Sequence, residues 1–449
     1  MAAKPPTRPS ALGRLRTVLG HNREGQAEGV FSVCSSNTFV LEAAAQQAAA
    51  SGNLLLIEST CNQVNQYGGY SGQTPRDFSS GLIHLAGKQG LGDGQICLGA
   101  DHAGPNPWRN QDAQAAMSKA MELVRASVSA GYQKIHLDAS MHCGDDDPHQ
   151  PLPSPLAAER AALLCQAAEQ AAAEEEGPVE GPLYVIGTEV PLPGGAQAAN
   201  EELSITRVEE AQETIRLTRA AFLRRGLDEA WERVIGLVVQ PGVEFGDQSV
   251  HAFEPDRAKS LSEFIETVPN LVFEAHSTDY QTRTSLTQLV AGHFAILKVG
   301  PALTFALREA LFALAAMEEE LRPLHSGLHP SSLLAKLEKH MLDKPMYWQP
   351  YYQGDEEAQA FARRFSLSDR ARYYWDQPEL AAAVNRLIDN LENYPPPPSL
   401  ISQYLPVQSC KIREGRLPAQ PRTWIADKIS AVLDDYAFAC GQATDATQH

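Results

Sequence analysis

The sequence predicts an α/β protein built on a closed (β/α)8 TIM barrel with a C-terminal helical extension. Three observations carry this. A run of roughly five apolar, β-branched-rich residues, a burst of small and polar residues, and an Ala/Leu/Glu/Arg-rich helical segment recur eight times over about 270 residues. The apolar runs are continuous instead of alternating, as strands buried on both faces of a parallel sheet require. Nearly every run ends in acids, imidazoles or amides, which implies one shared mouth; a doubly wound open sheet, the competing architecture, explains this less well.

In order, the strand units are "GVFSVCSSN" from Gly29, "LLLIESTCNQVNQYGGYSG" from Leu54, "QICLGADHAGPN" from Gln95 and "KIHLDASMHC" from Lys134. "LYVIGTEVPLPGG" from Leu183, "VIGLVVQPGVEFG" from Val234, "LVFEAHSTDYQT" from Leu271 and "FAILKVGPALT" from Phe294 complete the set. Apolar residues at helical spacing place helices between them, among others at 110–130, 155–175, 208–225 and 285–291. A long helix follows Ala302, and from about residue 326 the pattern changes to short helices and aromatic-rich loops. The expected division is residues 1–325 for the barrel with a short N-terminal segment, and 326–449 for an extension packed on it. Pro395–Pro398 reads as a rigid spacer.

The bulk numbers narrow the function. Hydrophobic content of 43% and charged content of 20% describe a globular chain with a sizeable core. A formal charge of −18 disfavours nucleic acid or an anionic membrane as partner, so an anionic small substrate needs a local positive pocket. Seven cysteines without Cys-x-x-Cys spacing fit neither a disulfide framework nor a zinc knuckle, and the expected compartment is a reducing cytoplasm. Lys4, Arg8, Arg14 and Arg16 lie in a ragged N-terminal tail with no apolar stretch of signal-peptide length, and no run is long enough to span a membrane.

Barrel chemistry gathers just past the C-terminal ends of the strands. Those ends supply Asp101, His102, Asp138, Glu189, Glu244 and His276, with Glu58 and Gln240 as weaker companions. Two imidazoles and two or three carboxylates on one mouth suit a divalent cation, Zn²⁺ first, with Mn²⁺, Ni²⁺ or Co²⁺ as others. His136 lies within an apolar run and reads as a satisfied core histidine, while His142 reads equally as an exposed loop residue. Phosphate in such barrels is often held by the loops after the seventh and eighth strands, which here offer Ser277, Thr278, Lys298 and Gly300; Asn37 and Gln240 are further candidates. Lys298 equally reads as the partner of a mouth carboxylate. There is no Walker loop, no dinucleotide fingerprint after a strand, and no Gly-x-Ser-x-Gly elbow.

The motifs "SVCSSN", "NQVNQYGGYSGQTP", "DHAGPNPW", "KIHLDAS", "YVIGTEVPLPGG", "VVQPGVEFG", "FEAHSTDYQTRT", "LKVGPALTFALREALFALA", "SLSDRARYYW" and "ISQYLP" closely resemble the family of tagatose-bisphosphate aldolase accessory subunits and tagatose-6-phosphate 4-epimerases. The resemblance runs from about residue 30 to about residue 438. It implies a barrel related to the metal-dependent class II aldolases. By it, Asp101 is the acid/base, His102 and His276 are metal ligands, and Glu244 or Glu189 replaces a histidine that the aldolases carry on the sixth strand. Asp138 completes the expected ligand set. The segment "MHCGDDDP" departs from the smaller, less acidic loop of the family.

The expected activity is interconversion of D-tagatose 6-phosphate and D-fructose 6-phosphate at C4. C4 bears a hydroxyl and no acidic hydrogen, so inversion calls for retro-aldol cleavage of C3–C4 to an enediolate and glyceraldehyde 3-phosphate, rotation, and re-addition. Asp101 and one of Glu189 or Glu244 would handle the protons. The rival expectation is a non-catalytic subunit that stabilises a class II tagatose-bisphosphate aldolase in galactitol, N-acetylgalactosamine or tagatose catabolism. A metal-dependent aldolase acting alone is a third reading, disfavoured by the missing strand-six histidine. A homo-oligomer is the other assembly considered.

Overall fold

The computed structural model describes residues 10–174, 180–187 and 203–442. Its strands are β1 (Val30–Val33), β2 (Leu55–Thr60), β3 (Ile96–Ala103), β4 (Lys134–Leu137), β5 (Leu183–Ile186), β6 (Val234–Val238), β7 (Glu244–Phe245), β8 (Val250–His251), β9 (Val272–Ala275) and β10 (Ile296–Val299). Eight of them close a parallel barrel in the order β1-β10-β9-β6-β5-β4-β3-β2. Each of the eight strand units yields one barrel strand. The sixth unit also supplies β7, which pairs antiparallel with β8 in a small hairpin outside the barrel; the sequence reading did not foresee it.

Side chains of a strand alternate between its two faces, so every second residue enters the barrel. At the N-terminal end these are apolar. Leu56, Cys97, Leu183, Val185, Val272 and Ile296 form one cluster with Leu12, Leu15 and Leu19 of the helix Ala11–Arg23, which plugs that end. Ser10 starts this helix by accepting a hydrogen bond from Gly13 N–H.

The next layer is ionic. Lys134 Nζ lies 2.8 Å from Glu58 Oε1 and 2.6 Å from Glu274 Oε2. Glu58, Lys134 and Glu274 sit on β2, β4 and β9, which are not neighbours, so these contacts cross the barrel interior. All three side chains are fully buried. Gly99 makes room for them, since a Cβ there would stand 2.7 Å from Glu58 Cγ.

The chain beyond residue 325 shares the barrel's outer apolar core, one cluster running from Phe31 to Cys440. Its last helix, Pro421–Ala439, packs on the helices Thr38–Ser51, Arg283–Ala291 and Pro301–Leu321. Within it the Tyr436 hydroxyl donates to Thr278 O at 2.7 Å. Pro398 opens the helix Pro398–Tyr404 at a position that needs no N–H donor. Among the described residues no helix is long and apolar enough to cross a membrane.

Candidate active site at the barrel mouth

Asp101 and His102 are adjacent on β3, and a regular strand would point them to opposite faces. The register between β3 and β4 slips between Ala100 and Ala103, and His102 takes a left-handed backbone, φ 49°. This bulge turns both side chains toward the mouth. The slip is fixed from β4. His102 N–H donates to His136 Nδ1 at 3.2 Å, and Asp138 Oδ2 lies 2.8 Å from His102 Nδ1. A Cβ at Gly104 would fall 1.7 Å from Asp138 O, so the chain leaves the strand on a residue without one.

The imidazoles of His102, His136 and His276 stand 4.9 to 5.2 Å apart, centroid to centroid, and line one small space. Asp101, His136, Glu274 and His276 each bring a donor atom within 4.8 Å of the others, all four buried. His136 Nε2 is buried without a hydrogen-bond partner among the described residues. Two imidazoles and two carboxylates with donor atoms this close together are the chemistry a divalent cation takes, so the cluster is a possible metal site.

This differs from the expected ligand set of His102, His276, Glu244 and Asp138. His276 belongs to the cluster. Asp138 does not: its oxygens are engaged by His102 Nδ1 and by Ser140, whose N–H and hydroxyl donate at 3.1 and 2.7 Å. Glu244 does not either, because the chain has left the barrel by then. Gln240 Oε1 accepts from the N–H groups of Gly242 and Val243, and Glu244 lies in the β7–β8 hairpin with Oε1 on Phe245 N–H at 2.9 Å. His102, seated on Asp138, has Nε2 3.8 Å from Asp101 Oδ2 and stands beside the four. Glu189 lies outside the described residues. His136 is no satisfied core residue, and Glu274 was overlooked. Both sit two positions from a residue that faces inward, Asp138 or Lys134 for one and His276 for the other, and that period was the available signal.

The expected phosphate groups are largely engaged elsewhere. Gly300 and Ala302 N–H groups, at the start of the helix Pro301–Leu321, donate to Asp279 Oδ1 at 3.0 and 2.8 Å, so an internal carboxylate takes the helix terminus. Thr278 Oγ1 donates to Lys298 O at 2.6 Å and pairs with Tyr436. Lys298 Nζ is bound by Glu58 at 2.6 Å and Asp101 at 2.9 Å, with Glu274 at 3.7 Å. Asn37 caps the helix Thr38–Ser51 through Phe39 N–H at 3.0 Å and lines a separate cavity with Trp375. Gln240 closes the turn just described. Ser277, with φ 53°, does line the mouth.

The mouth is an open cleft above Asp101, His102, His276 and Lys298, with Arg372 and Tyr373 of the C-terminal extension on its rim. Burial works to raise the Asp101 carboxyl, yet His102 and the Lys298 ammonium hold it well below the usual range. Burial also opposes charge on His102, but Asp101 and Asp138 outweigh it and raise that imidazole. His276 goes the other way, pushed down by burial to about 4, which keeps it neutral and able to bind a cation. Burial raises Glu244 to about 7.

Among solved structures, a probable tagatose 6 phosphate kinase from Sinorhizobium meliloti 1021 is 43% identical, with 92% of this chain and all of that one covered and a TM-score of 0.82. The YdjI aldolase from Escherichia coli K12 is 11% identical over 85% of this chain and 96% of its own, with a TM-score of 0.42. A fructose-bisphosphate aldolase from Campylobacter jejuni is 13% identical over 86% and 93%, with a TM-score of 0.43; likeness at that level carries no argument about chemistry. The family model described as D-tagatose-1,6-bisphosphate aldolase subunit GatZ/KbaZ-like matches residues 15–441, and the chain belongs to that family.

Proposed function

We propose that this chain is a divalent-cation-dependent sugar-phosphate epimerase that interconverts D-tagatose 6-phosphate and D-fructose 6-phosphate at C4 by a retro-aldol/aldol route. The supporting observation is the convergence of an ionised Asp101 with three imidazoles and Glu274 at the floor of one cleft. His136, Glu274 and His276 would hold the cation, with His102 beside them. A cation there supplies Lewis-acid polarisation of the substrate's C2 carbonyl.

The protein's own part is proton handling and orientation. Asp101, ionised at neutral pH, takes the proton from the C4 hydroxyl. The C3–C4 bond breaks, its electron pair passes to C3 as the enediolate, and C4 leaves as the aldehyde of glyceraldehyde 3-phosphate. After the aldehyde turns its other face, C3 re-adds and the new O4 alkoxide recovers a proton. The second face needs a second proton carrier. Glu244, raised to about 7, has the affinity for that task, and Glu189 is the other candidate.

The family's description as an aldolase subunit favours a second reading, a partner that stabilises a class II tagatose-bisphosphate aldolase. One experiment separates them. The chain is purified without partner, supplied with Zn²⁺, Mn²⁺, Ni²⁺ or Co²⁺, and assayed for ketose-phosphate interconversion and for triose release. Interconversion supports the epimerase, and net triose formation would make it an aldolase. Inertness, with rescue of an unstable aldolase subunit, would make it the accessory protein.

A further inference from the structure

The phosphate of the proposed substrate needs a positive group that is not already neutralised, and the eighth barrel strand does not offer one. Lys298 is shared among three carboxylates. The helix terminus at Gly300 is filled by Asp279.

The rim contributed by the extension is different. Arg372 lines the cleft. Its Nη1 donates to Asp369 O at 3.0 Å and to Ser368 O, and its Nη2 donates to the Tyr373 hydroxyl at 3.0 Å. These acceptors are uncharged. They fix the guanidinium plane, and no carboxylate among the described residues forms an ion pair with it, Asp369 acting on it only through its charge at longer range.

Two residues earlier, Arg370 lines an adjoining recess that shares Tyr70 and Tyr373 with the cleft. It is 3% exposed. It donates from Nη1 to Tyr347 O at 3.0 Å, and its Nε is buried without a partner. Both guanidiniums are held by backbone carbonyls and tyrosine rings, with no ion pair to an acid among the described residues. A buried cation without a counter-ion is costly, which is the condition a bound anion relieves.

We propose that Arg372, backed by Arg370, is the seat for the phosphate group of a phosphorylated sugar, so that the extension reads the phosphate end while the barrel floor handles the carbon chain. This rests on the reading of the substrate as a sugar phosphate, but not on turnover. A planar guanidinium matches a phosphate bidentately, which favours this seat over a single ammonium.

The test is calorimetric titration of the full chain with inorganic phosphate, D-tagatose 6-phosphate and unphosphorylated D-tagatose, for the wild type, Arg372→Gln and Ser277→Ala. Arg372→Gln is expected to weaken both phosphorylated probes at least roughly tenfold and leave unphosphorylated tagatose unchanged. Arg372→Lys is expected to recover part of the loss, and it also serves if the glutamine variant does not fold. Unchanged phosphate affinity in Arg372→Gln would overturn the assignment. So would an equal loss for tagatose and its phosphate, a loss confined to Ser277→Ala, or a wild type that binds no phosphate. A wild type that binds the sugar phosphate through Arg372 without converting it leaves this seat standing and removes the epimerase.

Discussion

Lys298 Nζ stands 2.9 Å from Asp101 Oδ1, so the acid proposed to move the proton is gripped by an ammonium from the strand across the barrel seam. The same nitrogen holds Glu58 at 2.6 Å and faces Glu274 at 3.7 Å. With Lys134 below, two ammoniums serve the carboxylates of Glu58, Asp101 and Glu274, and Asp138 adds a fourth acid on His102. Such a layer is short of positive charge, and either a protonated imidazole or a bound cation makes up the difference.

Lys298 and a cation therefore compete for Glu274, which the ammonium faces at 3.7 Å. Lys298→Met is expected to destabilise the fold by about 3–5 kcal/mol, because it leaves buried carboxylates unpaired. It is also expected to tighten Zn²⁺ binding. Urea denaturation in the presence of chelator measures the first, and titration calorimetry with Zn²⁺ the second. Weaker Zn²⁺ binding would mean that the lysine organises the cluster instead of competing for it.

Asp101→Asn keeps the shape and removes the proton acceptor. Turnover should fall by roughly 10²–10⁴-fold, the usual worth of a positioned acid/base. Zn²⁺ content should stay near that of the wild type, since His136, Glu274 and His276 remain. Interconversion assays and metal analysis of the same preparation check both halves.

How much of this was legible in the sequence follows from what a strand displays. Continuous apolar runs announced the eight barrel strands, and the polar residues ending them announced the mouth, Asp101 and His276 included. The same continuity hid the floor. In a strand buried on both faces nothing distinguishes inward from outward, so His136 looked like ordinary core and Glu274 went unnoticed, although each lies in step with an inward-facing neighbour. The slip that aims His102 beside Asp101 depends on contacts from β4, 34 to 36 residues away. Asp279 filling the helix terminus and Arg372 reaching the mouth are likewise facts of assembly, since nothing near either residue in the chain names its partner.

Gly99 tests whether the ionic layer needs its space. A Cβ there would meet Glu58 Cγ at 2.7 Å and Lys134 O at 3.0 Å, and the second of these is backbone. Gly99→Ala is expected to cost about 1–3 kcal/mol by overpacking. Urea denaturation midpoints would show it; a variant as stable as the wild type would mean the layer is loosely packed.

Glu244 gives a pH-dependent prediction whose sign is fixed by burial. Its carboxyl is raised from 4.5 to about 7, and burial outweighs the bonds from Phe245 N–H and Ser277 that favour the charged form. The folded state thus prefers the protonated acid. That preference stabilises fully below the unfolded value, fades as pH climbs from 4.5 to about 7, and is gone above. Over that window the wild type should lose up to about 3 kcal/mol relative to Glu244→Gln, which stays neutral throughout. Asp279, raised by burial to about 6, titrates in the same direction and its charge also raises Glu244, so it adds to the shift that the difference reads. Urea denaturation of the pair at several pH values between 4.5 and 8 measures that difference. A growing advantage for the glutamine variant that levels off above pH 7 is expected, while a constant offset would mean that Glu244 ionises as an ordinary surface acid and is unsuited to hand protons to a sugar at neutral pH.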